Sequence, residues 1–240
     1  MSNQKSASYQ RIMLKLSGEV LAGQQQFGID GATIEHLCKS IQEVTVSGVQ
    51  VALVVGGGNF WRFRDQKELA LDRTISDSMG MIATVMNAVA MQEKLKSLGV
   101  SAKAFSALPM PSVLDAYTPQ KAREAFATHD VVLCAGGTGS PYFTTDSAAA
   151  LRALELQCHV FLKATKVDYV CDKDPKKHED AKKFTDVSYQ QVLELGLEVM
   201  DLTAVSLCMD NKLPIIVFNM QKDENLMKVV RGEQVGTTIS

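Results

Sequence analysis

The chain has 240 residues, 46% hydrophobic and 22% charged, with a formal net charge of -2. That length can bury a sizeable core, and the near-neutral charge excludes the basic footprint of a nucleic-acid or anionic-membrane binder. Five cysteines without a C-x-x-C pair and four histidines without ligand spacing exclude a disulfide scaffold and argue against a metal cage.

Residues 1–10 are polar, lack the apolar stretch of a signal peptide and read as a flexible tail. Residues 11–240 read as a single domain. Ile12 to Leu16 is a first strand ending in Ser17-Gly18, followed by a Gln/Gly-rich loop from Gly23 to Gly28. Thr33 to Ser47 has Ile34, Leu37, Ile41 and Val44 on one helical face and Gly48 as its stop. Val51 to Val55 is a strand running into Gly56-Gly57-Gly58-Asn59, and Trp61 to Leu71 reads as helical. Ile75 to Leu98 is a long helix whose first half is apolar almost all round, as expected of a helix covered on two sides, either central in one subunit or at a subunit interface. Its polar insertions include Asp77 and Asn87. No stretch is long and apolar enough to span a bilayer, and a cytoplasmic protein is expected. Ala102 to Ser106 is a strand, Thr118 to Thr128 a helix opened by Pro119, and Val131 to Ala135 a buried strand. Gly136 to Leu156 then gives a Gly-rich loop and an Ala/Leu-rich helix. Thr144, Thr145, Asp146 and Ser147 are all capping types, so its first residue is not fixed by the sequence. His159 to Lys163 is a strand, and Asp172 to Lys183 a charged loop. Ser188 to Leu195 and Asp201 to Asn211 are helices with Ser188 and Asp201 as caps. Ile215 to Phe218, Asp223 to Arg231 and Gly236 to Ile239 close the chain as strand, helix and strand. The alternation implies an α/β fold: a mainly parallel sheet covered on both faces.

Four loops follow strand-like runs, and in open α/β sheets the strand carboxyl ends share one edge where ligands collect. Lys15 lies inside a strand ending in Ser17-Gly18; it either points at a phosphate or reaches solvent from an edge strand. Gly56 to Asn59 allows close backbone approach, and Arg62 stands near enough to grip a phosphate bidentately. Gly136 to Asp146 places glycines ahead of a helix N-terminus, which suits an anion, although one such loop alone is more often a ligand-free turn. Lys163 to Asp168 is basic and hydroxyl-bearing. Together they suit phosphoryl transfer, which rests on alignment and charge neutralisation rather than a dedicated nucleophile. No G-x-x-x-x-G-K-[ST], full G-x-G-x-x-G or G-x-S-x-G is present, which argues against a P-loop kinase, a dinucleotide fold and an α/β hydrolase.

The chain resembles the bacterial uridylate (UMP) kinases of the amino-acid-kinase superfamily. The matching stretches are LKLSGE (Leu14 to Glu19), FGID (Phe27 to Asp30), GGGN (Gly56 to Asn59) and DSMGMIATVMN (Asp77 to Asn87). GTGSPYFTTDSAAALRALE (Gly137 to Glu155), LKATKVD (Leu162 to Asp168), Asp174-Pro175, VMDLTA (Val199 to Ala204) and LPIIVFNM (Leu213 to Met220) also match. The resemblance implies a three-layer αβα sandwich. It implies transfer of the ATP γ-phosphate to UMP, giving UDP in pyrimidine nucleotide biosynthesis, with Mg²⁺. It places Lys15, Ser17, Gly18, Gly58, Arg62, Thr165 and Asp174 at ATP. It places Gly57, Asp77, Thr138, Gly139, Ser140, Pro141, Tyr142, Phe143, Thr144 and Thr145 at UMP. Lys15, Arg62 and Asp146 form the catalytic set, with Asp146 orienting Lys15, and Lys163 is a further candidate for transition-state charge. A homohexamer is also implied, with the methionine-rich helix at a subunit contact; some members are activated by GTP and inhibited by UTP, and the loop from Gly23 to Gly28 lies in the region linked to the GTP response.

Two departures stand out. Arg62 is followed by Phe63 where the family usually has glycine. In the family's Val-Asp-Gly-Val-aromatic run, this chain has Tyr169 for the glycine and Cys171 for the aromatic that would flank adenine. Two other readings compete: a superfamily relative acting on a small carboxylate or another phosphate, and a nucleotide-sensing regulator without turnover. The FTTD of the acceptor loop favours a nucleotide over the first, and Lys15, Arg62 and Asp146 together disfavour the second.

Overall fold

The computed structural model describes residues 7–62, 69–173, 177–178, 180–197 and 199–240. Nine strands form one sheet in the order β4-β3-β5-β2-β1-β6-β10-β11-β9. In chain order these are β1 (Arg11–Leu16), β2 (Gln50–Val55), β3 (Ala102–Ser106), β4 (Asp115–Ala116), β5 (Val131–Ala135), β6 (Val160–Thr165), β9 (Asp186–Val187), β10 (Ile215–Asn219) and β11 (Thr237–Ile239). Every neighbouring pair is parallel except β10 with β11. A separate antiparallel pair is made by β7 (Val170–Cys171) and β8 (Lys183–Phe184). The helices are α1 (Gly18–Leu21), α2 (Gly31–Val46), α3 (Arg73–Ser97), α4 (Pro119–Ala125), α5 (Thr145–Glu155), α6 (Tyr189–Glu194), α7 (Leu202–Asp210) and α8 (Asn225–Val230).

Successive residues of a strand face opposite sides of the sheet, and this alternation builds the layers. On β1, Ile12, Leu14 and Leu16 join one core with Ile34, Leu37 and Ile41 of α2, Met91 and Leu95 of α3 and Leu226 and Val230 of α8. Met13 faces the other way, with Ala52, Val54 and Phe161, against Ala149, Ala150 and Ala153 of α5 and Val205 and Cys208 of α7. The result is three layers, α/β/α. The alanines of α5 are at most 1% exposed, and their small side chains let the helix lie close on β1, β2 and β6. Burial pushes the Cys134 and Cys208 thiols up to about 12, as for unreactive core residues.

The helix ends follow the capping chemistry. Asp30 accepts from Thr33 N–H at α2, Asp72 from Thr74 N–H at α3, and Ser188 with Gln191 forms a capping box at α6. Gly48 and Gly99, with φ of 87° and 80°, stand just past α2 and α3. At the head of α5 the cap is Thr144, which accepts from the N–H groups of Asp146 and Ser147. Asp146 is therefore released from capping and sits inside the first turn.

Several expectations change. The helix α1 and the short strands β4, β7, β8 and β9 were not foreseen; each is four residues or fewer, too short to show a period. Much of the expected helix from Trp61 to Leu71 lies outside the described residues; Trp61, Arg62, Leu69, Ala70 and Leu71 are described and not α-helical, and Ala70 has φ 44°. Among the described residues only one side of α3 is covered: Ile75, Ile82 and Met86 are 54%, 45% and 49% exposed. Ser8 N–H donates to the Val230 carbonyl at 2.9 Å, so residues just ahead of β1 run along the end of α8. No helix among the described residues is long and apolar enough to cross a membrane.

Candidate active site

The carboxyl ends of β1, β2, β5, β6 and β10 lie along one edge, and their loops meet there. Lys15 is not an edge lysine. It sits on β1 between β2 and β6, with Lys163 as its register partner on β6. The alternation that sends Met13 and Phe161 towards α5 sends Lys15 and Lys163 the same way. Both ammonium groups arrive at the first turn of α5, where Asp146 lies between them.

Lys15 Nζ is 2.8 Å from the buried Asp146 Oδ1, a close ion-pair contact. Lys163 Nζ donates to Asp146 Oδ2 at 2.6 Å and to the Val199 carbonyl at 2.5 Å. The three side chains are only 11–14% exposed. Burial alone would raise the Asp146 pKa, but the two ammonium groups outweigh it and hold the carboxyl below the usual carboxylate range. Burial lowers the Lys163 pKa despite the Asp146 carboxylate, and the Lys15 charge adds to that lowering. Two cations share one buried carboxylate at a helix N-terminus, a favourable place for anions.

The glycine run after β2 is shaped by close contact. A Cβ on Gly18 would lie 2.2 Å from the Gly56 carbonyl oxygen, and one on Gly57 would lie 2.6 Å from the Gly80 carbonyl oxygen on α3. Beneath them, buried Asn59 and Asn87 exchange two amide hydrogen bonds at 2.9 and 2.8 Å. Asn87 also donates to the Gly56 carbonyl and Asn59 to the Gly28 carbonyl. Arg62 Nε donates to the Gly58 carbonyl at 2.8 Å, and its guanidinium pairs with Glu19 at 2.7 Å. Ser17 stands at the start of α1, where its carbonyl accepts from Val20 N–H.

The loop between β5 and α5 is held by side chains from outside it. Thr84 Oγ1 accepts from Gly136 N–H at 2.8 Å. Asp77 accepts from Tyr142 N–H at 2.8 Å and from Arg73, whose guanidinium lies 5.7 Å from the Tyr142 ring. Thr138, Gly139, Ser140 and Pro141 form the turn itself, with Thr138 Oγ1 accepting from Ser140 N–H. Tyr142 and Phe143 are 67% and 51% exposed. Asp201, the cap of α7, accepts from Thr144 Oγ1 at 2.5 Å and Ser147 Oγ at 2.7 Å, latching the heads of α5 and α7 together.

Two cavities flank the Lys15–Asp146–Lys163 cluster. One of about 180 Å³ is lined by Gly57, Trp61, Asp77, Met81, Thr84, Phe143 and Thr145. The other, of about 690 Å³, is lined by Lys163, Thr165, Val167, Tyr169, Val170, Cys171, Leu197 and Val199. Thr165 Oγ1 accepts from Val167 N–H and donates to the Phe218 carbonyl. The structure thus gathers Lys15, Gly18, Gly57, Asp77, Phe143, Thr144, Thr145, Asp146 and Thr165 around one centre, and keeps Gly58 with Arg62 at its rim. Asp174 lies outside the described residues. Sequence reasoning missed Thr84 and Arg152 and saw Asp201 only as a cap. A hydroxyl or guanidinium on an otherwise apolar helix face was the signal for the first two.

Residues 10–219 match the model of the amino acid kinase family. The fold is similar to solved UMP kinases. The one from Bacillus anthracis has 31% identity and a TM-score of 0.94, over 97% of this chain and 96% of that one. The one from Ureaplasma parvum has 34% identity and a TM-score of 0.91, over 96% and 98%. The uridylate kinase from Archaeoglobus fulgidus has 32% identity and a TM-score of 0.76, over 95% and 99%. On the match of its sequence and the agreement of its fold over nearly the whole length, this chain belongs to the amino acid kinase family.

Proposed function

We propose that this protein is a UMP kinase, transferring the γ-phosphate of ATP to UMP to give UDP and ADP. The observation that carries the reading is the buried Lys15–Asp146–Lys163 cluster at the head of α5, between a larger cavity and a smaller one. Phosphoryl transfer needs charge neutralised and two oxygens brought into line, and a rigid cationic centre between two nucleotide sites does both.

The larger cavity takes the donor. Its apolar walls, Val167, Leu197 and Val199, suit a base, and Thr165 and Lys163 stand towards the phosphates. Lys15, Ser17, Gly18, Gly58, Arg62 and Asp174 complete the donor side. The smaller, open cavity takes UMP, with Gly57, Asp77 and the loop from Thr138 to Thr145 around it. The Lys15 and Lys163 ammonium groups face the transferring phosphoryl group and stabilise the charge spread over its oxygens. Asp146 keeps both in place and takes no proton. Arg62, paired with Glu19 in the unliganded chain, exchanges that carboxylate for phosphate oxygens.

Mg²⁺ enters with the nucleotide. The buried carboxylate at the centre is engaged by two lysines, and Asp201 by two hydroxyls, so the donor set fits a metal carried by phosphates rather than a protein cage. When bound, Mg²⁺ supplies further charge neutralisation.

Assembly as a homohexamer is part of the proposal, supported by the apolar outer face of α3 and read by light scattering as a particle of six 26.2 kDa chains. GTP and UTP as effectors are supported by the paired hydrogen bonds between Gly28 and Asn59, which join the loop of Gly23 to Gly28 to the glycine run. A cytoplasmic setting agrees with five free cysteines. The deciding experiment is an ADP-release assay with ATP, Mg²⁺ and UMP, CMP, dTMP or AMP in parallel. UMP is expected to be the preferred acceptor; turnover with UMP no higher than with the others overturns the reading. Effectors are read by adding GTP or UTP.

A further inference from the structure

Arg152 is a cation that the proposed mechanism does not use. It lies on α5 and is 5% exposed. Its Nη1 donates to Glu155 Oε2 at 2.7 Å, the same oxygen that accepts from the Tyr117 hydroxyl at 2.7 Å. The guanidinium is stacked 4.0 Å from the centre of the Tyr117 ring. Nε is buried without a hydrogen-bond partner among the described residues. A buried, incompletely bonded guanidinium is a costly way to pack a helix that alanines otherwise seat against the sheet. The remaining contact gives it a purpose. Nη2 donates to the Gly137 carbonyl at 3.2 Å, at the start of the loop before α5.

Gly137 has φ 60° and Gly136 φ 76°. A Cβ on Gly136 would lie 2.9 Å from Leu108 N, so this backbone is already pressed against the chain after β3. Thr84 fixes the Gly136 N–H and Arg152 fixes the Gly137 carbonyl. Two consecutive residues are held from opposite helices, α3 and α5, and the left-handed turn leaves the rest of the loop aimed at the smaller cavity. We propose that Arg152 is a positioning residue for the acceptor, presenting the loop of Thr138 to Thr145 in its binding conformation while touching neither nucleotide. The inference rests on the assignment of that loop to UMP.

The test measures KM for UMP, KM for ATP, kcat and melting temperature in wild type, Arg152→Lys, Arg152→Met and Glu155→Gln. Lysine keeps the positive charge beside Glu155 but lacks the fork that serves two acceptors at once. Arg152→Lys is expected to raise KM for UMP about tenfold, the scale of one hydrogen bond to a charged group, with KM for ATP unchanged within about twofold. Glu155→Gln, which loosens the anchor and spares the loop contact, gives a smaller rise of the same kind. If Arg152→Met does not fold, these two variants decide. A folded Arg152→Lys whose KM for UMP stays within about twofold of wild type overturns the role, as does an equal loss towards both nucleotides, which marks general loosening. A wild-type enzyme inactive on UMP sinks the proposed function and is distinct from either result.

Discussion

Asp146→Asn is the sharpest perturbation available. The substitution keeps shape and hydrogen-bonding capacity but removes the carboxylate charge that lies between Lys15 and Lys163, which approach it to 2.8 and 2.6 Å. Removing one partner of a buried ion pair typically costs about 3–5 kcal/mol. Lys163 softens the loss, because burial already lowers its pKa and it can shed its proton. Taking ~3 kcal/mol, the melting temperature falls by roughly 6–12 °C for a chain of this size. Turnover falls by on the order of 10²–10³, the scale for losing one preorganised charge-stabilising group. Nucleotide binding adds a discriminating readout. In the variant Lys15 and Lys163 face each other without the Asp146 carboxylate, and a triphosphate supplies negative charge in its place. ATP should therefore raise the melting temperature of Asp146→Asn by more than that of wild type, measured by calorimetry at equal saturation. An unliganded variant melting within ~2 °C of wild type, or equal ATP shifts in both proteins, refutes the electrostatic account.

Arg62→Ala should lower turnover by on the order of 10² with melting almost unchanged, since its pair with Glu19 is partly exposed and such pairs contribute little. Gly57→Ala pushes a methyl against the Gly80 carbonyl and Ala83, so calorimetry should show a loss of about 1–3 kcal/mol, and KM for UMP should rise. Asn87→Ala strands the Gly56 carbonyl and half of the Asn59 amide; about 2 kcal/mol of destabilisation, or roughly 4–8 °C, is expected. In pH titrations Lys163 and Asp146 act at opposite ends. The native state holds the Lys163 proton less tightly than the unfolded chain, so its contribution to stability rises with pH from the lowered pKa to about 10.4, while turnover falls over the same window. The depressed Asp146 pKa contributes stability that is complete above about 3.9 and lost as pH drops through the native value. Replacing Lys163 with methionine should remove the alkaline rise.

The layers were legible because period and length agreed: buried strands ending in glycine, helices with caps and stops. Lys15 shows where legibility ended. Its residue type marked it as unusual, but whether it reached solvent depended on β1 lying between β2 and β6, a pairing between residues more than 30 positions apart. At the head of α5 four capping residues competed, and the choice of Thr144 goes with Asp201, 57 residues later, accepting a hydrogen bond from its hydroxyl. The exposed stripe of Ile75, Ile82 and Met86 left two readings open, because an apolar helix looks the same whether its cover is in its own chain or elsewhere.

The loop ahead of α5 has its backbone held by three foreign side chains, Asp77, Thr84 and Arg152, while Tyr142 and Phe143 stand largely exposed. In the proposed reading Thr84 and Arg152 serve architecture alone, the exposed Tyr142 and Phe143 serve recognition, and Asp77 belongs to both sets. In the proposed reading Tyr142 and Phe143 can be exchanged for side chains that prefer another acceptor, while Gly139, with φ 82°, and the contact of Thr138 Oγ1 with Ser140 N–H keep the turn. The loop then works as a replaceable reading head on a fixed mount, so acceptor preference can drift in evolution, or be redirected by design, with little change to the Lys15–Asp146–Lys163 cluster beside it.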